Sequence, residues 1–403
     1  MAEPSKLGPA GHTPVTAADE EGWRTQPGSG HKGRTYRFRE DLDSIPQYVP
    51  GLSAADAPAG PQADEAVKLS ANENPLGPSP LAVEAMARAA WEAHRYPDST
   101  CRALRGALAE RLGVGADQIV VGNGADSLFT LVAQAMLGPG TAVAIPEVTF
   151  ATYEIAARIA RAQVWRVPMA GWGVDAQALA AALRRGARVG FVANPNNPTG
   201  TLLGAAELEQ VAQAVPDGGL LVLDEAYVEF AEESAPDSLA LVRSGLPVLV
   251  VRTFSKAYAL AGLRIGYAIG PRPVIEALWK VREVFATSRL AEAAALAALG
   301  DEAHLRRGLE MVRAGRRQIY AALRAMGVEY VPSHTNFVWV RTGVPSPTLV
   351  DQLARQGVLV RPGHLWGAPE WIRVTVGTEA QNDRFTRALQ AVLSRRPLAA
   401  AGA

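Results

Sequence analysis

Cysteine is nearly absent: Cys101 is the single one in 403 residues. No intrachain disulfide can form, and the chain suits a reducing compartment. Set in Ser-Thr-Cys-Arg at the opening of a helix, the thiol reads as packing rather than as a nucleophile. Net charge is missing too, since 40 basic residues balance 40 acidic ones. Nothing in that balance favours a nucleic acid or a membrane surface. No apolar run approaches the about 20 residues of a membrane span, and the N-terminus has no apolar segment of a secretory signal. A cytoplasmic location is expected. The six histidines, His12, His31, His94, His304, His334 and His364, show no metal-ligand spacing, so no metal is expected and they read as surface or loop residues. His364, in Arg-Pro-Gly-His shortly after Arg361, is the one placed to touch a substrate. The eight tryptophans are spread along the chain and read as core or rim.

What is present is an ordinary globular composition, 48% hydrophobic and 20% charged, in a chain too long for one small core. Residues 1–35, rich in Gly, Pro and charge, read as a disordered tail. Residues 36–66 read as an extended arm, because Ile45-Pro-Gln-Tyr-Val-Pro-Gly51 carries two prolines. From Val67 apolar strands alternate with helices. Strands are expected at 119–121, 142–145, 163–167, 189–193, 220–223 and 247–251, with helices such as 126–137 and 150–160 between them. The alternation describes an α/β fold with a mostly parallel sheet covered on both faces. Beyond Pro271 a helical stretch, including a long helix over 303–326, leads to strands at 335–340, 358–361 and 371–376 that read as a smaller second sheet. The expected organisation is a large domain over 67–300, a small C-terminal α/β domain over 301–395 and a tail over 396–403.

In a parallel sheet, ligands bind beyond the carboxyl ends of the strands, and four polar motifs sit there. Gly122-Asn-Gly-Ala-Asp-Ser127 runs from a strand into a helix N-terminus, where free N–H groups and the helix dipole favour an anion; it is neither a P-loop nor Gly-x-Gly-x-x-Gly. Asn194-Pro-Asn-Asn-Pro-Thr-Gly200 is a rigid turn that aims an amide over the sheet. Asp224-Glu-Ala-Tyr227 places a carboxylate at a strand end and a phenol beyond it. Lys256 follows the strand at 247–251, flanked by Thr253 and Ser255, with Arg264 further on. A lysine so placed is a candidate for imine formation. Hydroxyls, a guanidinium and a helix terminus suit one phosphate dianion. An imine-forming lysine, a carboxylate for a pyridinium nitrogen, a phenol and an amide for a ring oxygen, and a phosphate cradle are what pyridoxal 5′-phosphate needs. Lys256, once freed by the substrate amine, would then move the α-proton as general base.

These strings resemble the fold-type-I pyridoxal-phosphate aminotransferases, and more closely the histidinol-phosphate aminotransferase family. Ser70-Ala-Asn-Glu-Asn-Pro-Leu-Gly77, Arg95-Tyr-Pro-Asp98 and Ile372-Arg-Val-Thr-Val-Gly-Thr378 add to the resemblance, which spans residues 40–395. It implies a two-domain subunit and a homodimer with shared active sites. By the same resemblance Lys256 is the imine-forming lysine, Asp224 the pyridinium partner, Tyr227 and Asn197 the holders of the ring hydroxyl oxygen, and Phe150 the ring-stacking residue. Ala125, Asp126, Thr253, Ser255 and Arg264 would bind phosphate. Ser127 stands where family members often carry an acid, and its backbone N–H remains available to the phosphate. Tyr96 would reach in from the partner subunit, Tyr48 on the arm would line the substrate pocket, and Arg373, with Arg361 nearby, would grip the substrate anion. A transaminase accepts an amino donor and a 2-oxo acid in one pocket, and a guanidinium can serve the phosphate of histidinol phosphate and the α-carboxylate of glutamate alike. Aromatic amino-acid aminotransferases of the same family share these residues and form the alternative. A threonine-phosphate decarboxylase-like lyase and a non-catalytic pyridoxal-phosphate sensor are further from the pattern.

Overall fold

The structure, a computed structural model, describes residues 38–51 and 66–394. The expected tails, 1–35 and 396–403, and most of the second half of the arm lie outside the described residues. The compact unit Asp43–Ala403 carries both main sheets.

Short β1 (Val67–Lys68) is followed by the strands of a seven-stranded sheet: β2 (Ile119–Gly122), β3 (Ala142–Pro146), β4 (Gln163–Val167), β5 (Val189–Ala193), β6 (Leu220–Asp224), β7 (Val248–Thr253) and β8 (Gly266–Ile269). Their order across the sheet is β2-β8-β7-β6-β5-β3-β4. Every residue of β2, β3, β5, β6 and β8 is buried. Full burial explains why these segments are short continuous apolar runs rather than alternating ones. The period of two survives in the partition of the core: Leu221 and Leu223 pack into one cluster, Leu220 and Val222 into another.

One strand was not expected from sequence. Gly266-Tyr-Ala-Ile269 pairs antiparallel with both β2 and β7, whereas the remaining pairings are parallel. The reversal matters for the site. The start of β8 lies beside the carboxyl ends of its neighbours, with Gly266 opposite both Gly122 and Thr253. Arg264, just before it, is thereby delivered to the same rim.

The smaller sheet contains β9 (Glu329–Val331), β10 (Phe337–Arg341), β12 (Arg361–Pro362) and β13 (Trp371–Thr375) in the order β9-β10-β13-β12. The strand expected over 358–361 is divided. Val358–Leu359, here β11, pairs parallel with β1, while β12 pairs with β13. Two sheets share one extended segment, and this joins β1 to the C-terminal part of the chain.

Cys101 is buried at the head of the helix Arg102–Leu112, and burial pushes its thiol up to about 11, which fits packing and not nucleophilic chemistry. His304 departs from the expected surface role: it is buried, and its Nε2 lies 2.9 Å from the Gly77 carbonyl, a tertiary contact no local pattern announces. Four tryptophans, Trp172, Trp339, Trp366 and Trp371, are gathered into one aromatic cluster against the small sheet rather than scattered. Among the described residues no helix is long and apolar enough to cross a membrane, and no group of three or more His, Cys, Asp and Glu could hold a metal.

Candidate active site

The four strand-end motifs converge on one cavity of about 200 Å³. Tyr48, Ala125, Asp126, Phe150, Asn197, Asp224, Tyr227, Thr253, Ser255, Lys256, Arg264, Arg361 and Arg373 all line it. A second cavity, about 440 Å³, shares Tyr48, Phe150, Asn197, Arg361 and Arg373 with the first and extends along the arm, Thr149 and Trp366.

Lys256 stands just past the end of β7. Its Nζ donates to the Ala71 carbonyl at 3.1 Å and lies 5.8 Å from the centre of the Tyr227 ring. Burial, and after it the charge of Arg373, lowers its pKa to about 8. Asp224 ends β6. Its Oδ1 accepts the Ala226 N–H at 3.0 Å and its Oδ2 the Tyr153 hydroxyl at 2.5 Å. Burial raises its pKa to about 6 in spite of both bonds. Tyr227 accepts from Asn72 Nδ2 at 2.9 Å, and burial lifts its phenol to about 12, so the proton stays in place at neutral pH.

At the phosphate-like end, α1 (Gly124–Met136) begins directly after β2 and brings Ala125 and Asp126 to the cavity wall. Arg264 Nη2 donates to Asp126 Oδ2 at 3.2 Å and its Nη1 to Ser255 Oγ at 3.4 Å. The Thr253 hydroxyl donates to the same Ser255 oxygen at 2.9 Å. Glycine is required at two points here. A Cβ on Gly124, whose φ is +76°, would lie 2.6 Å from Arg264 Nη2, and one on Gly266 would lie 3.0 Å from the Ala125 nitrogen. Backbone N–H groups, hydroxyls and a guanidinium therefore close on a single small volume.

At the opposite end two arginines face each other from neighbouring strands, Arg361 on β12 and Arg373 on β13, as direct Cα partners. Both are buried. Arg373 donates to Asn197 Oδ1 at 2.6 Å and to the Ser70 carbonyl at 2.7 Å, while its Nε is buried without a partner. Burial lowers its pKa to about 10, with Arg361 contributing in the same direction. Arg361 donates to the Val49 carbonyl of the arm and lies 5.8 Å from the Tyr48 ring. Both guanidiniums also lie over Trp366, at 5.9 and 5.4 Å, and Trp366 is itself held by a 3.0 Å bond from its Nε1 to the Thr149 carbonyl.

Three sequence candidates fall off the cavity wall. The Ser127 hydroxyl turns back to the Gly124 carbonyl at 3.0 Å because it sits in the first turn of α1. Tyr96 is 77% exposed and stacks on Phe285 at 4.4 Å, away from the cavity of its own chain. His364 pairs its Nδ1 with Ser346 Oγ at 3.1 Å and lines neither cavity. Sequence reasoning missed Tyr153, Asn72 and Trp366. Asn72 lies within the motif Ser70–Gly77, but nothing local distinguishes it as the partner of a tyrosine 155 positions away.

The sequence profile of the aminotransferase class I and II family matches residues 64–389. A histidinol-phosphate aminotransferase of Symbiobacterium thermophilum is 45% identical over 346 residues, which covers 86% of this chain and 96% of the relative. One from Moorella thermoacetica is 41% identical over 360 residues, 89% of this chain and 93% of the relative. Among solved structures, the histidinol-phosphate aminotransferase of Sinorhizobium meliloti in complex with pyridoxal-5′-phosphate aligns with a TM-score of 0.81 at 32% identity, covering 90% of this chain and 98% of that one. This chain belongs to the aminotransferase class I and II family and, within it, to the histidinol-phosphate aminotransferases.

Proposed function

We propose that this chain is a pyridoxal-phosphate-dependent aminotransferase that moves the amino group of histidinol phosphate to 2-oxoglutarate. The donor set fits the cofactor: an amine, an acceptor-only carboxylate, a phenol and an amide line the cavity, and at the head of α1, where Gly124 and Gly266 leave no room for a Cβ, the donors suit a small anion. Pyridoxal phosphate, when bound, supplies a carbonyl carbon for imine exchange and a ring that takes up the electrons of the breaking Cα–H bond. Lys256 would hold it covalently and then carry the α-proton; Asp224 would face its ring nitrogen. Tyr227 and Asn197 would hold the ring oxygen, Phe150 would cover one face, and Ala125, Asp126, Thr253, Ser255 and Arg264 would hold the phosphate, with the Ser127 N–H beside them.

The observation that carries the substrate reading is the Arg361–Arg373 pair. Two buried like charges placed opposite each other are costly without an anion between them. A phosphate ester beside the amine carbon offers two charges and three acceptor oxygens for that pair, more than a single carboxylate does. The aromatic amino-acid reading keeps one supporting feature, the aromatic walls Tyr48, Phe150 and Trp366 of the adjoining cavity. Turnover of histidinol phosphate against phenylalanine and tyrosine, each with 2-oxoglutarate, decides between them. Preference for the aromatic amino acids would overturn the phosphate reading.

Arg373→Ala is expected to raise KM for both histidinol phosphate and 2-oxoglutarate by roughly 10- to 100-fold, the value of a lost charge-assisted bidentate contact. A rise for one substrate alone would mean that the two anions use different sites.

The same reading includes a cytoplasmic homodimer. Trp91 is 86% exposed, Tyr96 77% and Val284 68%, and Phe285 stacks beneath Tyr96. Large apolar side chains exposed in this way suit a protein partner, here a second copy whose cavity Tyr96 would enter. Phe285→Glu is expected to shift the sedimenting species to the monomer and to remove activity. A fully active monomer would exclude the shared site.

A further inference from the structure

Tyr153 is wholly buried on α2 (Thr152–Ile159), beneath the cavity. Its ring lies parallel to Phe191 at 5.0 Å and meets Phe129 and Phe150 edge-on at 5.0 and 5.7 Å. Three aromatic contacts leave the ring one orientation. In that orientation its only side-chain polar atom reaches Asp224 Oδ2 at 2.5 Å, the length of a charge-assisted O–H to carboxylate bond. Phe150, one turn earlier, lines the cavity, so a single turn of chain supplies both a ring for the cavity and a donor behind the carboxylate.

We propose that Tyr153 is a positioning residue of the reaction: its hydroxyl fixes the rotamer of Asp224 and keeps the carboxylate ionised, and so sets the acidic limit at which cofactor is retained. The proposal rests on the reading that places the cofactor ring nitrogen at Asp224. The charged and titratable groups around this carboxylate are Tyr153 on α2, Asp126 at the head of α1, Glu225 and Tyr227 just after it in sequence, and Lys256 and Arg373 on the cavity wall. After burial, Asp126 and Glu225 act to protonate Asp224. The Tyr153 bond is the largest influence opposing them, ahead of the Ala226 N–H. Tyr153 itself stays protonated, since burial and then the Asp224 charge hold its phenol well above the ordinary value. It therefore donates at every working pH.

A bond that favours the carboxylate lowers its pKa, so removing the bond raises it, and the proton arrives at a higher pH. Tyr153→Phe keeps the ring stack and deletes only the hydroxyl. In this variant, the dissociation constant of pyridoxal phosphate from the apoprotein, measured across pH, is expected to begin its acid-side rise roughly one unit earlier. The acid limb of kcat should move with it, while KM for both substrates holds. In an Asp224→Ala background the added Tyr153→Phe change should do nothing further. A parental acid limb in Tyr153→Phe, an equal loss of affinity at every pH, or an undiminished effect on top of Asp224→Ala would each overturn the proposal. If Asp224→Ala alone leaves affinity and its pH dependence untouched, the placement of the ring nitrogen is wrong and the tyrosine proposal falls with it.

Discussion

Lys256→Ala is expected to yield a folded protein that gives no visible band attributable to a covalently held cofactor and turns over at least about 10⁴-fold more slowly. The size of the effect comes from two roles in one side chain. Lys256 would be the amine that holds a carbonyl compound covalently, and the same amine, once displaced by substrate, would be the base for the α-proton. Its environment prepares it for both. At pH 7.5 an amine of ordinary pKa is neutral in about one molecule in a thousand, whereas one lowered to about 8 is neutral in roughly a quarter. Charge reinforces burial here, because Arg373 and Arg264 face the amine across the cavity. Loss of chemistry can be separated from misfolding. The folded pKa lies below the unfolded one, so stability rises with pH between about 8 and the ordinary lysine value, and the charged amine is a burden below that window. The alanine apoprotein should accordingly melt no lower than the parent at neutral pH. A retained band or retained turnover would displace Lys256 from the centre of the site.

The rim of the sheet was legible because each motif sits where an apolar run stops, and a run of buried strand needs only local composition to announce itself. The strands expected at 163–167 and 189–193 occur at those bounds. β8 was not legible, because three buried residues between Gly266 and Gly270 carry neither alternation nor length, and only the pairing of Gly266 with Gly122 and Thr253 gives the strand its direction. The division of 358–361 between two sheets was hidden for a related reason: extended backbone looks the same whichever neighbour receives its hydrogen bonds. Tyr153 reads in sequence as one more apolar position on a helix. Its hydroxyl acquires a role only when β6 ends beside it, 71 residues later in the chain. His304 was misjudged in the same way, since its partner is the carbonyl of Gly77. Side chains whose meaning lies in a long-range partner were the ones sequence could not assign.

Asp224→Ala separates holding the cofactor from using it. Lys256 and the phosphate cradle do not depend on the carboxylate, so the variant is expected to take up cofactor with weakened affinity. Turnover at saturating cofactor should fall by at least about 10³-fold, the scale of a lost preorganised charge. The site is built for an anion at this position and not merely for a polar side chain. Two N–H and O–H donors already point at the carboxylate, from Ala226 and Tyr153, and an asparagine there could accept from only one of them while presenting its own amide N–H to the other. Yet burial raises the carboxyl to about 6 in spite of these donors. A protonated ring nitrogen would supply a positive charge to this carboxylate in the cavity where Lys256 and Tyr227 also converge. Asp224 would hold the ring nitrogen in its charged form, and the nitrogen would in turn favour the carboxylate. Near-parental turnover in Asp224→Ala, measured as kcat with cofactor in excess, would remove this pairing and with it the reason for burying a carboxylate at the end of β6.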